Sequence, residues 1–334
     1  MADAEYSPAV LADMERAIRT SLSAWGLTAG TAIRLLNISE NATWRLDDPD
    51  AGAPLILRVH RVGYHTEAEI RAELAWIESL RQSGEVSTAA IVPTRMGERL
   101  TTLVSPSGLP PRHAVAFRFL PGREPDVDAG LVPWFEVLGQ ITARLHRHAA
   151  AWPRPAGFVR KLWDLDAMLG PVKLWGPWQE GIGLDARGHA VIARAAELVR
   201  TKMAAFGQGP DRFGLVHADM RLANLLVDGA DMHVIDFDDC GLSWHLYDFA
   251  AAITLFEHDP IVPEVQAAWV AGYRRVAPLA DDHVAQMPVF IMARRILVMA
   301  WMASHAETPM AREGGASYSA TTVDLAEAFL RRLG

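Results

Sequence analysis

The sequence predicts an α+β chain in two lobes, a small antiparallel sheet with one main helix followed by a larger, mainly helical lobe. Three observations predict it. Short β-branched runs fill the first third, helical period takes over past Pro121-Gly122, and one strand-loop-strand stretch rich in Asp and Asn interrupts the helices. At 334 residues with 50 % hydrophobic side chains, the chain can bury a core large enough for about two lobes. The boundary is expected at Pro121-Gly122, with residues 1–120 forming the N-terminal lobe and 121–334 the C-terminal lobe.

In chain order, residues 31–38, 42–46 and 54–60 are strand candidates, rich in apolar or β-branched residues and separated by Asn, Asp, Pro and Gly. Residues 66–82 change to helical period: Ile70, Leu74 and Ile77 share one face, and Ser83-Gly84 closes the helix. Two more strands, 99–104 and 113–120, are joined through Ser105-Pro106-Ser107-Gly108. Long helices are expected over 132–148, 189–206, 262–276, 287–305 and 319–333, and residues 152–178, dense in Pro, Gly and Trp, read as an ordered loop.

A net charge of −8 speaks against a general nucleic-acid or membrane-surface binder, which would want a basic field. The acidic start, Met1-Ala2-Asp3-Ala4-Glu5, runs into no apolar stretch, so no secretory signal and a cytoplasmic location are expected. The most apolar segment, 287–301, is broken by Arg294 and Arg295 and too short to span a bilayer, and it reads as a buried helix. One cysteine, Cys240, excludes an internal disulfide and a cysteine-rich zinc site, and reads as a small packed side chain.

The chemistry concentrates in residues 213–239. Leu215-Val216 leads into His217-Ala218-Asp219, then Met220-Arg221-Leu222-Ala223-Asn224, and Leu225-Leu226-Val227 resumes. A polar turn, 228–231, precedes His233-Val234-Ile235, which delivers Asp236 at its end. A hairpin would bring Asn224 and Asp236 together. Phosphoryl transfer needs such a kit: oxygen ligands for magnesium on the nucleotide phosphates and a carboxylate aimed at the attacking hydroxyl.

In these residues the sequence resembles the aminoglycoside phosphotransferase and choline kinase superfamily, a branch of the protein-kinase-like fold that includes homoserine kinases and stress-response kinases. His217-x-Asp219-x-x-x-x-Asn224 matches the catalytic loop and Asp236-Phe237-Asp238 the metal-binding strand end. The resemblance implies ATP and Mg2+ as cofactors, Asp219 as catalytic base, Asn224 and Asp236 as metal ligands, and His217 and Asp248 as supports of the loop. It places adenine against the backbone of residues 117–120. Arg221 stands where protein kinases carry a lysine that touches the transferred phosphate; a solvent-facing arginine is the alternative.

Helical spacing sets Glu73 on or beside the buried face, where a carboxylate wants a cation. Kinase-like folds supply a third-strand lysine, but the lysines here are Lys161, Lys173 and Lys202. Leu55-Ile56-Leu57-Arg58-Val59-His60 puts Arg58 in that place, and an Arg58–Glu73 pair contacting the α- and β-phosphates is expected. Glu69 is the reserve partner, and an exposed Glu73 with a surface Arg58 is the alternative. The loop Asn37-Ile38-Ser39-Glu40-Asn41-Ala42-Thr43 replaces the glycine-rich phosphate loop without a glycine, and the resemblance implies phosphate contacts from Ser39 and Asn41.

The expected reaction is transfer of the γ-phosphate of ATP to a hydroxyl of a small molecule, such as an aminoglycoside or amino alcohol. The alternatives are a stress-response protein serine/threonine kinase and a non-catalytic pseudokinase, the latter prompted by the missing lysine and glycines. Asp236-x-Asp238 also fits a nucleotide-sugar glycosyltransferase, which leaves the 217–224 spacing unexplained, or a haloacid-dehalogenase-type phosphatase, which needs a lysine that does not follow Lys202. A zinc site from His113, His146 and His148 fails because positions i and i+2 face apart on a helix. Trp175 and Trp178, with Asp164 and Asp166, could line an acceptor pocket for an amine; core packing of the tryptophans is the alternative.

Overall fold

The computed structural model describes residues 6–126, 130–172, 174–306 and 308–334; residues 1–5, read above for a leader, and Lys173 lie outside them. The chain divides into two compact units, Met1–Pro121 with Arg154–Val159, and Gly122–Pro153 with Arg160–Gly334.

The first unit opens with α1 (Pro8–Ser21), a helix the strand-centred reading of this third does not anticipate. Ser7 caps it and Pro8 begins it, as the missing N–H of proline costs nothing there. The strands β1 (Ala32–Ile38), β2 (Ala42–Asp47), β3 (Leu55–Val59), β4 (Thr101–Leu103) and β5 (Arg112–Arg118) form an antiparallel sheet in the order β1-β2-β3-β5-β4. Alternation along β2 buries Ala42, Trp44 and Leu46, which join Leu55, Leu57 and Val59 of β3 and Met14, Ala17 and Ile18 of α1 in one core. Arg58, on the other side of the pleat, points at α2 (Glu67–Ser83). That helix starts in a capping box made by Thr66 and Glu69, buries Ile70, Leu74 and Ile77, and stops at left-handed Gly84.

The second unit contains α3 (Val132–Ala151), β6 (Lys161–Leu162), α4 (Leu165–Met168), α5 (Ala186–Phe206), β7 (Phe213–Val216), β8 (Leu225–Asp228), β9 (Asp231–Val234) and β10 (Gly241–Trp244). The helices α6 (Tyr247–Ala252), α7 (Val262–Arg274), α8 (Asp281–Val284), α9 (Met287–Ser304) and α10 (Pro309–Leu333) complete it. β10 joins β7 antiparallel and β6 parallel, and β8–β9 is a hairpin with Leu225 opposite Val234. α10 begins ten residues before the expected 319, because Thr308 caps it and Pro309 starts it. The apolar segment is longer than the 287–301 expected to be too short for a bilayer: Asp281–Ser304 is long and apolar enough to cross one, but 72 % of its 18-residue apolar stretch is buried inside the protein, as in a core helix.

Candidate active site

The loop between β7 and β8 carries the central residues. Ala218 has φ 67° and Asp236 has φ 61°, a region that residues with a Cβ adopt only when their surroundings hold them there. For Ala218 the restraint is charged: Asp248 Oδ1 accepts its N–H at 2.7 Å, and Asp248 Oδ2 accepts that of His217 at 3.2 Å. Asp248, fully buried on α6, is held in turn by His146 Nε2 at 2.9 Å, and the other nitrogen of His146 meets the Tyr273 hydroxyl at 3.0 Å. His146 is thus a support of the loop, and among the described residues no three His, Cys, Asp or Glu side chains group as a metal site.

His217 is buried and ties the loop to the end of β9. Its Nδ1 accepts the Asp219 N–H at 3.3 Å, which leaves the proton on Nε2 to be donated to the Ile235 carbonyl at 3.2 Å. Burial lowers its pKa and keeps the ring neutral, against the pull of Asp248 and Asp219. The ring also packs on Phe237, at 4.5 Å between centroids. Both neighbours of Asp236 are therefore anchored on one imidazole, and Asp236 itself is turned outward and exposed.

The hairpin register brings Asn224 to the residue before Asp236: the Ile235 N–H donates to the Asn224 carbonyl at 2.9 Å. Asn224 Nδ2 donates to the Asp219 carbonyl and to Asp219 Oδ2, both at 2.8 Å. With the nitrogen so used, Oδ1 is the amide atom that could accept a cation. One amide oxygen and one exposed carboxylate are a hard-oxygen donor set of the kind that suits Mg2+.

Arg221 turns back to Asp219 Oδ2, with its Nε at 3.3 Å. A further arginine, which sequence reading singles out only as a break in an apolar stretch, completes the surroundings: Arg294 of α9 donates from Nη2 to Asp219 Oδ1 at 2.6 Å. Burial opposes ionisation of Asp219, and the charges of Arg221 and Arg294 outweigh it, holding the carboxyl below the ordinary aspartate range.

In the first unit, Arg58 Nη2 lies 2.8 and 2.7 Å from the two Glu73 oxygens. The side chains are 6 % and 0 % exposed, so both are core residues, and Phe117 covers the guanidinium at 5.3 Å. Glu69, the reserve partner, closes the capping box of α2. Ser39 and Asn41 sit in the tight β1–β2 loop, where the Ser39 N–H donates to the Asn41 carbonyl at 3.0 Å. The Asn41 side chain faces inward and accepts the Arg61 N–H at 3.2 Å, so it braces the loop beside the end of β3. At the expected adenine segment the N–H groups of Arg118 and Phe119 already donate to Ala90 and Pro54. Trp175 is buried, edge-on to Trp163 and 5.1 Å from the Arg294 guanidinium, while Asp164 caps α4. Trp175 is thus packed in the core of the second unit, against Trp163 and Arg294.

The sequence model of the phosphotransferase enzyme family matches residues 32–279. A solved microcompartment-associated aminopropanol kinase is 42 % identical, with a TM-score of 0.87 over 96 % of this chain and 98 % of that one. An uncharacterized protein of Deinococcus radiodurans is 30 % identical over 291 residues, 84 % of this chain and 80 % of its own length. Amicoumacin kinase hAmiN, solved with AMP-PNP, Ca2+ and Ami, has the same fold at a TM-score of 0.77 and 20 % identity, over 96 % of this chain and 94 % of that one.

Proposed function

The chain belongs to the phosphotransferase enzyme family, within the aminoglycoside phosphotransferase and choline kinase superfamily, and is a kinase; from that premise we propose that it moves the γ-phosphate of ATP onto the hydroxyl of a small amino alcohol. The observation that carries the reading is the Asp219 carboxylate, gripped on Oδ2 by Asn224 and on Oδ1 by Arg294, with the Asn224 carbonyl accepting the Ile235 N–H one residue before the exposed Asp236. The amino alcohol class is supported by the 42 % identity to an aminopropanol kinase.

Asp219 orients the acceptor hydroxyl and receives its proton as the new oxygen–phosphorus bond forms and the bond to the β–γ bridging oxygen breaks, releasing ADP. Asn224 Oδ1 and Asp236 would hold Mg2+, which when bound would supply positive charge to the nucleotide phosphates. Arg58, fixed by Glu73, serves the α- and β-phosphates as a planar donor in place of the usual lysine. The loop holding Ser39 and Asn41 serves the phosphates through these side chains or through backbone amides other than that of Ser39, which the Asn41 carbonyl takes, and Arg221 offsets charge on the transferred group. The cytoplasm, where ATP is made available to such kinases, is the proposed location, and neither a nucleic acid nor a membrane is called for as a partner.

The test is a panel of small amino alcohols, aminoglycosides, choline-like amines and serine peptides, incubated with labelled ATP and Mg2+. Labelled phosphoester on an amino alcohol is expected, lost on chelation of the metal and reduced about 10³-fold or more in kcat by Asp219→Asn. No labelled product with any acceptor, or equal turnover by parent and variant, would refute the reading.

A further inference from the structure

The most apolar helix of the chain carries two adjacent arginines whose surroundings differ in kind. A buried guanidinium is tolerated only where its donors are met. Arg295 is met within the helical packing: it pairs with buried Glu257 and donates to Thr321, Thr322 and the Tyr318 carbonyl, with the Tyr318 ring 3.6 Å from its guanidinium. Among the described residues no hydrogen bond runs from that cluster to the catalytic loop. Arg294, 3 % exposed, converges instead on the loop itself.

Nε of Arg294 donates to Thr254 Oγ1 at 3.2 Å, and Nη1 to the Tyr247 hydroxyl at 3.0 Å and the Ala218 carbonyl at 3.2 Å, while Nη2 takes Asp219 Oδ1 at 2.6 Å. Trp175 and Tyr247 lie 5.1 and 5.5 Å from the guanidinium and fix its plane. Arg294 thereby holds both the carbonyl of the strained Ala218 and the carboxylate that follows it, while Asp248 holds the N–H on the other side.

Counting lone pairs then distinguishes the two oxygens of Asp219. An ionised carboxylate offers about two acceptor sites on each oxygen. Both sites of Oδ2 are taken, by Asn224 and Arg221, and one site of Oδ1 is taken by Arg294. One remains, on Oδ1. We propose that Arg294 is a positioning residue for the transfer, which turns Asp219 so that Oδ1 presents its remaining lone pair to the acceptor hydroxyl. The assignment rests on the kinase reading above and goes beyond it by naming the oxygen and the residue that sets it.

If Arg294 positions the base, its loss slows transfer to the acceptor without weakening nucleotide binding, and lets water compete for the phosphoryl group. The experiment measures kcat, KM for ATP and for the amino alcohol, and ADP released per phosphorylated product, in the parent, Arg294→Ala, Arg294→Lys and Tyr247→Phe. Binding of a magnesium complex of a non-hydrolysable ATP analogue is measured by calorimetry alongside. The expected kcat of Arg294→Ala is roughly 10²-fold below the parent, with KM for ATP and analogue affinity within about twofold and ADP in excess of product.

Arg294→Lys keeps a charge that reaches Oδ1 but cannot fork to Ala218, and is expected to recover about tenfold of that loss. Tyr247→Phe keeps the ring and removes the hydroxyl, so it tests the same contact in a chain that folds; a kcat about three- to tenfold lower, with coupled ADP excess, is expected. The proposal is overturned by a kcat within threefold of the parent in Arg294→Ala, by lysine behaving no better than alanine, or by a Tyr247→Phe enzyme indistinguishable from the parent. It is overturned too by an ADP-to-product ratio that stays at one while kcat falls in step with folded protein. A parent inactive towards every acceptor removes the proposed function and this assignment together; an active parent with unaffected variants removes this assignment alone.

Discussion

Asp248 illustrates how a single side chain without a place in the reaction can still govern it. Both of its oxygens accept backbone N–H groups, from His217 and Ala218, and Oδ2 also accepts from His146. An asparagine in its place would turn an amide NH2 towards one of these donors, and two donors cannot satisfy each other. Asp248→Asn should therefore lose about 2–4 kcal/mol of stability, the range for stripping a buried charged acceptor from its partners. Activity should fall with it, because the strained Ala218 loses its restraint. Urea unfolding followed by tryptophan fluorescence reads the first effect; a midpoint unchanged from the parent would show that the loop is held by something else. Legibility differs among the site residues for a physical reason. Asp219, Asn224 and Asp236 lie within one short stretch, so spacing alone joins them, and Glu73 is exposed by helical period as a carboxylate on a buried face. Arg294 lies 75 residues from Asp219, and the sequence shows only a charge in an apolar helix.

At the scale of elements, α3 and α7 lie so close that side chains are missing where they meet. A Cβ on Gly139 would overlap the carbonyl oxygen of Trp269, and one on Gly272 that of Glu136, backbone atoms that cannot move aside alone. Gly272→Ala must therefore separate the helices, at a cost of about 1–3 kcal/mol or more. α3 carries His146 and α7 carries Tyr273, so the displacement reaches Asp248 through their hydrogen bonds. Melting followed by circular dichroism should show a lower Tm, and an unchanged Tm would mean that the interface has slack the contacts do not reveal. Elements missed in the sequence share a weak signal. The buried stripe of α1 includes Asp13 and Ala17 beside Met14 and Ile18, too thin for a clear period. The first turns of α10 hold Gly314-Gly315, poor helix formers, and a Cβ on Gly315 would crowd Ile182, 2.7 Å away. β6 has two residues, too few for alternation to be read, and β10, Gly241-Leu242-Ser243-Trp244, opens on a glycine and holds no β-branched residue.

Across the whole molecule, acid should act through histidines as well as through the carboxylates. His245 follows β10, donates its N–H to the Arg212 carbonyl at 2.8 Å and stacks on His146 at 4.4 Å. Burial, then the facing His146, lowers its pKa to about 3, while Asp211 pulls the other way and His283 adds to the lowering. In the unfolded chain the same imidazole titrates near 6.5. Between these values the unfolded state binds a proton that the folded state refuses, so stability is complete above about pH 6.5 and drains as the pH falls towards 3, at up to about 1.4 kcal/mol per pH unit. His245→Gln removes that proton uptake, although it also loses the stacked ring and is less stable than the parent at pH 7.5. The expected signature is therefore a slope: the gap in Tm between parent and variant should narrow steadily as the pH is lowered from 7.5 to about 4. Parallel curves over that interval would mean that His245 is protonated in the folded protein and that the acid sensitivity of the second unit has another source.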